Sequence, residues 1–290
     1  MKRVFKITLI LLTLYSLSSC DDFLSINPPH KMTLDNSVTD YDGAVSILNG
    51  MYASISTGNG SSIVDYFGGS PYVSLSAQAG ISRVNGSVFY PMSYNSTYSS
   101  FSNYWRHWYS CINSANATIS GIQKLPDSKF PSVETKNRMI GEARTFRAWV
   151  YSHLLWCFSH FWADDEYGVL WREEVATFDN IFIDRISVKD SYDNIFADVD
   201  AGIATLPDYT TSKRLSKQMA QVLKAKLLLN RGWTGDYQAA LDIVNTVIAT
   251  APASFKMDPD MKKMYQDAWD SKEVLFARYM EDNMGRAYGE

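Results

Sequence analysis

The chain has 290 residues, a formal charge of −4, and 46% hydrophobic with 14% aromatic side chains. That length is enough to bury one large core. The mildly acidic balance argues against nucleic acid and against charge-driven binding to anionic lipid headgroups.

The first residues read as an address. Lys2, Arg3 and Lys6 give a positive start, and Ile7 to Leu17 is an apolar run broken only by Thr8, Thr13, Tyr15 and Ser16. This is a signal-peptide core, too short for a dependable membrane span. It ends in Leu17-Ser18-Ser19-Cys20, which looks like a bacterial lipobox. The two serines let the chain lie extended in a peptidase cleft, and the Cys20 thiol can accept a diacylglycerol. Residues 1–19 are expected to be removed, leaving 20–36 as a lipidated tether containing Pro28 and Pro29. Each buried CH₂ of such an anchor contributes roughly 0.8 kcal/mol. Cleavage takes away three basic side chains and no acids, so the charge moves from −4 to −7. The expected place is the outer face of a cell envelope, reached through the lipid alone.

Cys111 and Cys157 are the other cysteines. They could pair in an oxidising compartment. Two buried thiols acting as small hydrophobes is the preferred reading.

Helical spacing begins at Thr39-Asp40-Tyr41-Asp42, with Thr39 as N-cap, and continues through Ala44, Ile47, Leu48, Met51 and Ile55. Residues 57–100 break the pattern: they are rich in Gly, Ser, Asn and Tyr, and their only charged residues are Asp65 and Arg83. Pieces such as Ser87-Val88-Phe89-Tyr90 suggest a few short strands. A long insert of this kind is usually functional or disordered, and its tyrosines argue against disorder.

A second helix puts Tyr104, Trp105, Trp108, Cys111, Ile112, Ala115 and Ile119 on one face, with both tryptophans expected in the core. A third, over 134–160, carries Met139, Ala143, Phe146, Val150, Leu154 and Phe158, with Arg138 and Glu142 at i,i+4. Ser187 to Leu206 is a fourth, closed by Pro207. The pair over 216–250 is the most diagnostic. Ala220, Leu223 and Leu227 line one helix, the chain turns at Gly235-Asp236-Tyr237, and Ala240, Leu241, Val244 and Val247 line the next before Pro252. This resembles the second half of a tetratricopeptide repeat. The first half fits poorly, with Lys224 and Arg231 where aromatics are usual. The fold class is mostly α: tetratricopeptide-like helix pairs in an α-solenoid over 37–290. A last strand is expected at Glu273-Val274-Leu275-Phe276.

Four stretches together resemble the SusD-like (RagB/SusD) family of nutrient-binding outer-membrane lipoproteins. They are Cys20-Asp21-Asp22-Phe23-Leu24 before Pro28-Pro29; Glu142-Ala143-Arg144-Thr145-Phe146-Arg147-Ala148-Trp149, similar to the family's Glu-Ala-x-x-x-Arg-Ala helix; Arg185-Ile186-Ser187-Val188 through Leu206-Pro207; and the Gly-Asp-Tyr turn. The resemblance implies a non-enzymatic binder that passes an oligosaccharide or other nutrient to a TonB-dependent, SusC-like transporter. Members of the family usually continue well past this length. The C-terminal part, which supplies much of their ligand face, is therefore expected to be missing.

No catalytic set, cofactor fingerprint or metal motif stands out. His153 and His160 share a helix two turns apart, without the i,i+4 spacing and intervening Glu of a zinc pair. Asp164-Asp165-Glu166 lacks the alternating oxygens of a calcium loop and reads as a solvated turn. The positive candidate is the insert. A sugar site wants flat aromatic platforms beside hydrogen-bonding side chains. Tyr66, Phe67, Tyr72, Tyr90 and Tyr94, with Asp65, Arg83, Asn85 and Asn95, supply that chemistry. Some of these rings could instead pack the insert onto the helices. Three rival readings stay open: a protein-interaction scaffold, a non-functional truncated paralogue, and a glycan hydrolase, which needs two carboxylates about 5–10 Å apart.

Overall fold

The computed structural model describes residues 38–55, 95, 99–267 and 270–277. The chain divides into two units, 1–37 and 38–290. The signal peptide, Cys20 and the tether lie outside the described residues, as does the insert apart from Asn95 and the first helical turn that follows it.

Among the described residues seven α-helices follow one another: α1 Tyr41–Ser54, α2 Ser99–Lys124, α3 Val133–Phe158, α4 Val188–Thr205, α5 Lys217–Arg231, α6 Asp236–Thr250 and the short α7 Met261–Asp267. From α1 to α6 each helix packs on the next. That serial contact defines a solenoid, with the expected tetratricopeptide-like pair in α5 and α6. No strand occurs among the described residues. None of their helices is long and apolar enough to cross a membrane.

Side-chain oxygens fix the helix starts. Asp40, Ser132, Ser187 and Ser216 each accept a hydrogen bond from the backbone N–H three residues on, satisfying a donor that the first turn leaves unpaired. The first cap is Asp40, one residue later than Thr39. Between α5 and α6 the chain reverses through Gly232 at φ 67° and Gly235 at φ 90°. A Cβ would strain both positions.

One core runs through the stack. Ala44, Leu48, Met51 and Ile55 of the first helical segment meet Trp108, Cys111, Ile112, Ala115 and Ile119 of α2. Met139, Ala143, Phe146, Val150 and Leu154 of α3 and Tyr192, Ile195 and Val199 of α4 continue it. Trp108 is fully buried, and Trp105 packs against the core from its edge. The α3–α4 crossing is close enough to be reciprocal. A Cβ on Gly141 would meet Thr205 Oγ1 at 2.0 Å, and one on Gly202 would meet Thr145 Oγ1 at 1.9 Å.

Three expectations fail here for physical reasons. Leu241 and Val244 of α6 are exposed, because only the Ala240 and Val247 side of that helix faces α5. With Tyr237 and Ile248 they leave an apolar stripe in solvent. Residues 273–276 form no strand. The Tyr209 hydroxyl donates to Val274 O at 3.0 Å, and Ala277 N donates to Ser212 O at 2.9 Å. Phe276 meanwhile meets the rings of Tyr52 and Trp149. Cys157 is exposed, so only Cys111 is a buried thiol, and the two are unpaired. Burial pushes the Cys111 thiol up to about 12.

The poor fit of the repeat's first half also has a cause. Lys224 lies over the Phe196 ring and pairs with Asp200 at 2.6 Å. Arg231 lies 4.5 Å from the Trp233 ring centre and 4.9 Å from that of Phe196. It also grips Asp236 through two bonds of 2.7 and 2.8 Å. Cations capping aromatic faces do what aromatics do in other repeats.

Candidate functional site

Of the nine residues singled out for ligand contact, Asn95 alone is described, and it is exposed. Asp65, Tyr66, Phe67, Tyr72, Arg83, Asn85, Tyr90 and Tyr94 lie outside the described residues. The described helices show what the Glu-Ala-x-x-x-Arg-Ala stretch does.

Glu142 faces inward on α3 and is 1% exposed. Its carboxylate accepts from the Tyr52 hydroxyl at 2.8 Å, pairs with Arg138 one helical turn earlier, and meets Arg214 at 3.4 Å. Burial, then the neighbouring carboxylate, raises the Tyr52 phenol well above its ordinary range, so it stays a donor. Arg214 also reaches Asn49 at 2.6 Å and lies over the Tyr52 ring. This brace ties α1, α3 and the approach to α5.

One turn along α3, Arg147 donates to both oxygens of Asp198 on α4, at 2.7 and 2.9 Å, and to Asn116 Oδ1 on α2 at 2.7 Å. Arg144 reaches Asp198 as well, at 2.7 Å. Burial works against the Arg147 charge, but the bonds to Asp198 outweigh it and raise its pKa. Asn116 in turn donates to the carbonyls of Arg172 and Glu174. The stretch is therefore a set of struts. Glu142 and Asp198 are each occupied by two guanidinium groups, which leaves neither placed as a general acid.

The chain that leaves α3 forms an ordered turn over 159–168. His160 N donates to Tyr167 O at 3.2 Å, Val188 N to Asp165 O at 2.8 Å, and Gly168 N to Ile186 O at 3.0 Å. Arg185 clamps it through Phe158 O and Gly168 O. A Cβ on Gly168 would come within 2.5 Å of both the Ile186 and Ser187 carbonyls, so the approach depends on glycine. On this turn His160 Nδ1 bonds Asp165 Oδ2 at 2.8 Å, and Asp165 Oδ1 accepts from Tyr167 N at 2.8 Å. The His160 bond first, then the Tyr167 N–H, holds the Asp165 carboxyl below its ordinary range. The Trp162 indole lies near-parallel to the His160 ring, with centres 5.6 Å apart and 29° between planes. Tyr167 lies 5.1 Å from the same ring. Asp164 and Glu166 are exposed, as expected for a solvated turn. Sequence reading saw those acids and passed over the rings, whose only signal was a Trp and a Tyr beside a turn.

His153 is a different case. It lies among Trp108, Trp149 and Trp156, with ring centres 6.1, 5.3 and 5.4 Å away. Its Nδ1 bonds Trp149 O at 2.8 Å. Burial, and then Lys226, pushes its pKa down to about 4.

No curated protein matches the chain by sequence. Solved structures do match its fold. A SusD superfamily protein from Bacteroides fragilis superposes with a TM-score of 0.63 at 20% identity, over 85% of this chain and 57% of its own. One from Bacteroides thetaiotaomicron gives 0.60 at 20%, over 82% and 50%. A SusD-like carbohydrate binding protein from Bacteroides fragilis gives 0.59 at 20%, over 81% and 45%. This chain thus spans about half the length of the solved structures it matches. The model of the SusD-like family, described as starch-binding and associating with the outer membrane, matches residues 22–234. That match covers most of the sequence, and it takes in the Glu142–Arg147 struts and the Gly235 turn's first helix: the chain belongs to the SusD-like family.

Proposed function

We propose that this protein is a cell-surface, lipid-anchored nutrient binder of the outer membrane that captures an oligosaccharide and delivers it to a TonB-dependent, SusC-like transporter. The observation that carries the reading is the family match. It spans residues 22–234, beginning two residues after Cys20, in a family described as starch-binding and outer-membrane associating. Cys20 carries the lipid. In the insert, Tyr66, Phe67, Tyr72, Tyr90 and Tyr94 offer ring faces to sugar C–H surfaces, and Asp65, Arg83, Asn85 and Asn95 bond the hydroxyls. No chemical step is assigned to the protein.

Calorimetry of the full chain against a glycan panel tests the binding. Saccharide binding weakened in Tyr66→Ala, Tyr90→Ala or Tyr94→Ala is expected, and a folded chain that binds no glycan would overturn it. Anchoring has its own readout. Cys20→Ala is expected to lose lipid labelling and membrane partition, and retention of either refutes the anchor. A scaffold reading draws on one feature, the apolar stripe of Tyr237, Leu241, Val244 and Ile248 on α6. It requires those insert variants to leave every binding property unchanged.

A further inference from the structure

We propose that the turn after α3 is a second saccharide contact, a stacking platform built on Trp162 and distant in sequence from the insert. The inference rests on the oligosaccharide reading above. Trp162 is 62% exposed and Tyr167 54% exposed. Large rings left in water at an ordered turn are costly to maintain unless something covers them. Here the order is independently visible. The backbone is bonded at His160, Asp165 and Gly168 and clamped by Arg185. The Trp162 ring is itself braced, by the His160 imidazole beneath it and by Phe161 edge-on at 5.0 Å. Phe161 is in turn held through its carbonyl by the Tyr192 hydroxyl at 3.0 Å. The indole is therefore braced by its neighbours while most of the residue stays open to solvent.

A braced, open ring is what the apolar face of a pyranose stacks on, because little side-chain freedom is lost when the sugar lands. The rim supplies the hydrogen bonds that hydroxyls need. With Nδ1 engaged by Asp165, the exposed His160 ring keeps Nε2 for a hydroxyl, and the exposed Asp164 and Glu166 carboxylates follow Trp162 two and four residues on. Those carboxylates accept from hydroxyls and repel like charge. The ligand class is therefore neutral saccharide and not uronate-bearing saccharide. A long glycan engaging both the insert and this turn gains affinity by effective concentration without new chemistry.

The test uses the full chain labelled with 5-fluorotryptophan, with Trp162→Phe assigning the Trp162 fluorine resonance. The probes are neutral oligosaccharides from starch, xylan and xyloglucan, with oligogalacturonate as the charged comparison. Neutral saccharide is expected to move the Trp162 resonance, and Trp162→Ala to weaken calorimetric affinity roughly three- to tenfold with an unchanged thermal midpoint. Tyr90→Ala should weaken affinity yet leave the Trp162 shift in place at saturation. Binding with the resonance unmoved, or a moved resonance with affinity unchanged in Trp162→Ala, overturns the platform while leaving the insert reading intact. A uronate probe that moves the resonance as far overturns the preference for neutral sugar. A chain that binds no saccharide overturns both sites together.

Discussion

Along α3 the inward side carries ionic groups, Glu142 and Arg147, while the turn that follows α3 holds two large rings, Trp162 and Tyr167, out in water. The ordinary distribution places charge outside and aromatics inside. Each inversion has its own logic. Buried charge is tolerable when every oxygen and guanidinium is bonded, and it then demands one arrangement of the helices around it. Exposed rings are tolerable when the backbone beneath them is fixed, and they then present a surface. The first inversion concerns the integrity of the stack and the second its contacts, so mutations should separate them.

The largest effect is expected at the struts. Arg147→Ala leaves the buried Asp198 carboxylate with Arg144 as its one cation and should lower unfolding free energy by about 2–4 kcal/mol, read from the denaturant midpoint. The double replacement Arg147→Met with Asp198→Leu should recover much of that loss, since it removes the buried charges and leaves only Arg144, which reaches solvent. An Arg147→Ala protein as stable as the parent would break the comparison. Next comes the α3–α4 crossing. Gly141→Ala drives a methyl into Thr205 and should cost about 1–3 kcal/mol. Thr205→Ala in the same chain should restore part of it, and a loss unaffected by Thr205→Ala would place the strain elsewhere.

Acid sensitivity is third. His153 titrates near 4 in the fold, against an ordinary value of 6.5. Below 6.5 the unfolded chain binds a proton that the folded chain refuses. Stability should therefore fall as pH drops from 6.5 towards 4, by up to about 1.4 kcal/mol per pH unit. His153→Gln should flatten that slope, and urea midpoints across the window decide it. The smallest effect is expected at the turn. Trp162→Ala should shift stability by no more than about 0.5 kcal/mol. A larger loss of midpoint would mean that the ring belongs with the struts and not with the surface.

The helices themselves were legible. The period that marks a buried stripe is local, although the one cap read from sequence, Thr39, fell a residue short of Asp40. What stayed hidden depends on partners distant in sequence. The i,i+4 pairing of Arg138 with Glu142 is readable, but the burial of Glu142 follows from Tyr52 and Arg214, 90 and 72 residues away. Leu241 and Val244 look like core because periodicity reports an apolar face and says nothing of whether a neighbour covers it. The stretch at 273–276 has strand composition and no strand among the described residues to pair with, and side chains and turns take its backbone groups. Trp162 and Tyr167 were missed because a short turn has no period, and the ring-on-ring support that gives them meaning needs coordinates.

The order in which the chain is made gives the Glu142 brace one more consequence. Tyr52 and Arg138 precede the carboxylate, but Arg214 follows only after α4 has been laid down. Until then the carboxylate has one cationic partner in place of two, and its closure waits on the arrival of the segment that leads into α5. The brace thus works as a coincidence lock. A chain ending short of residue 214 would therefore hold the first helices more loosely than the full one.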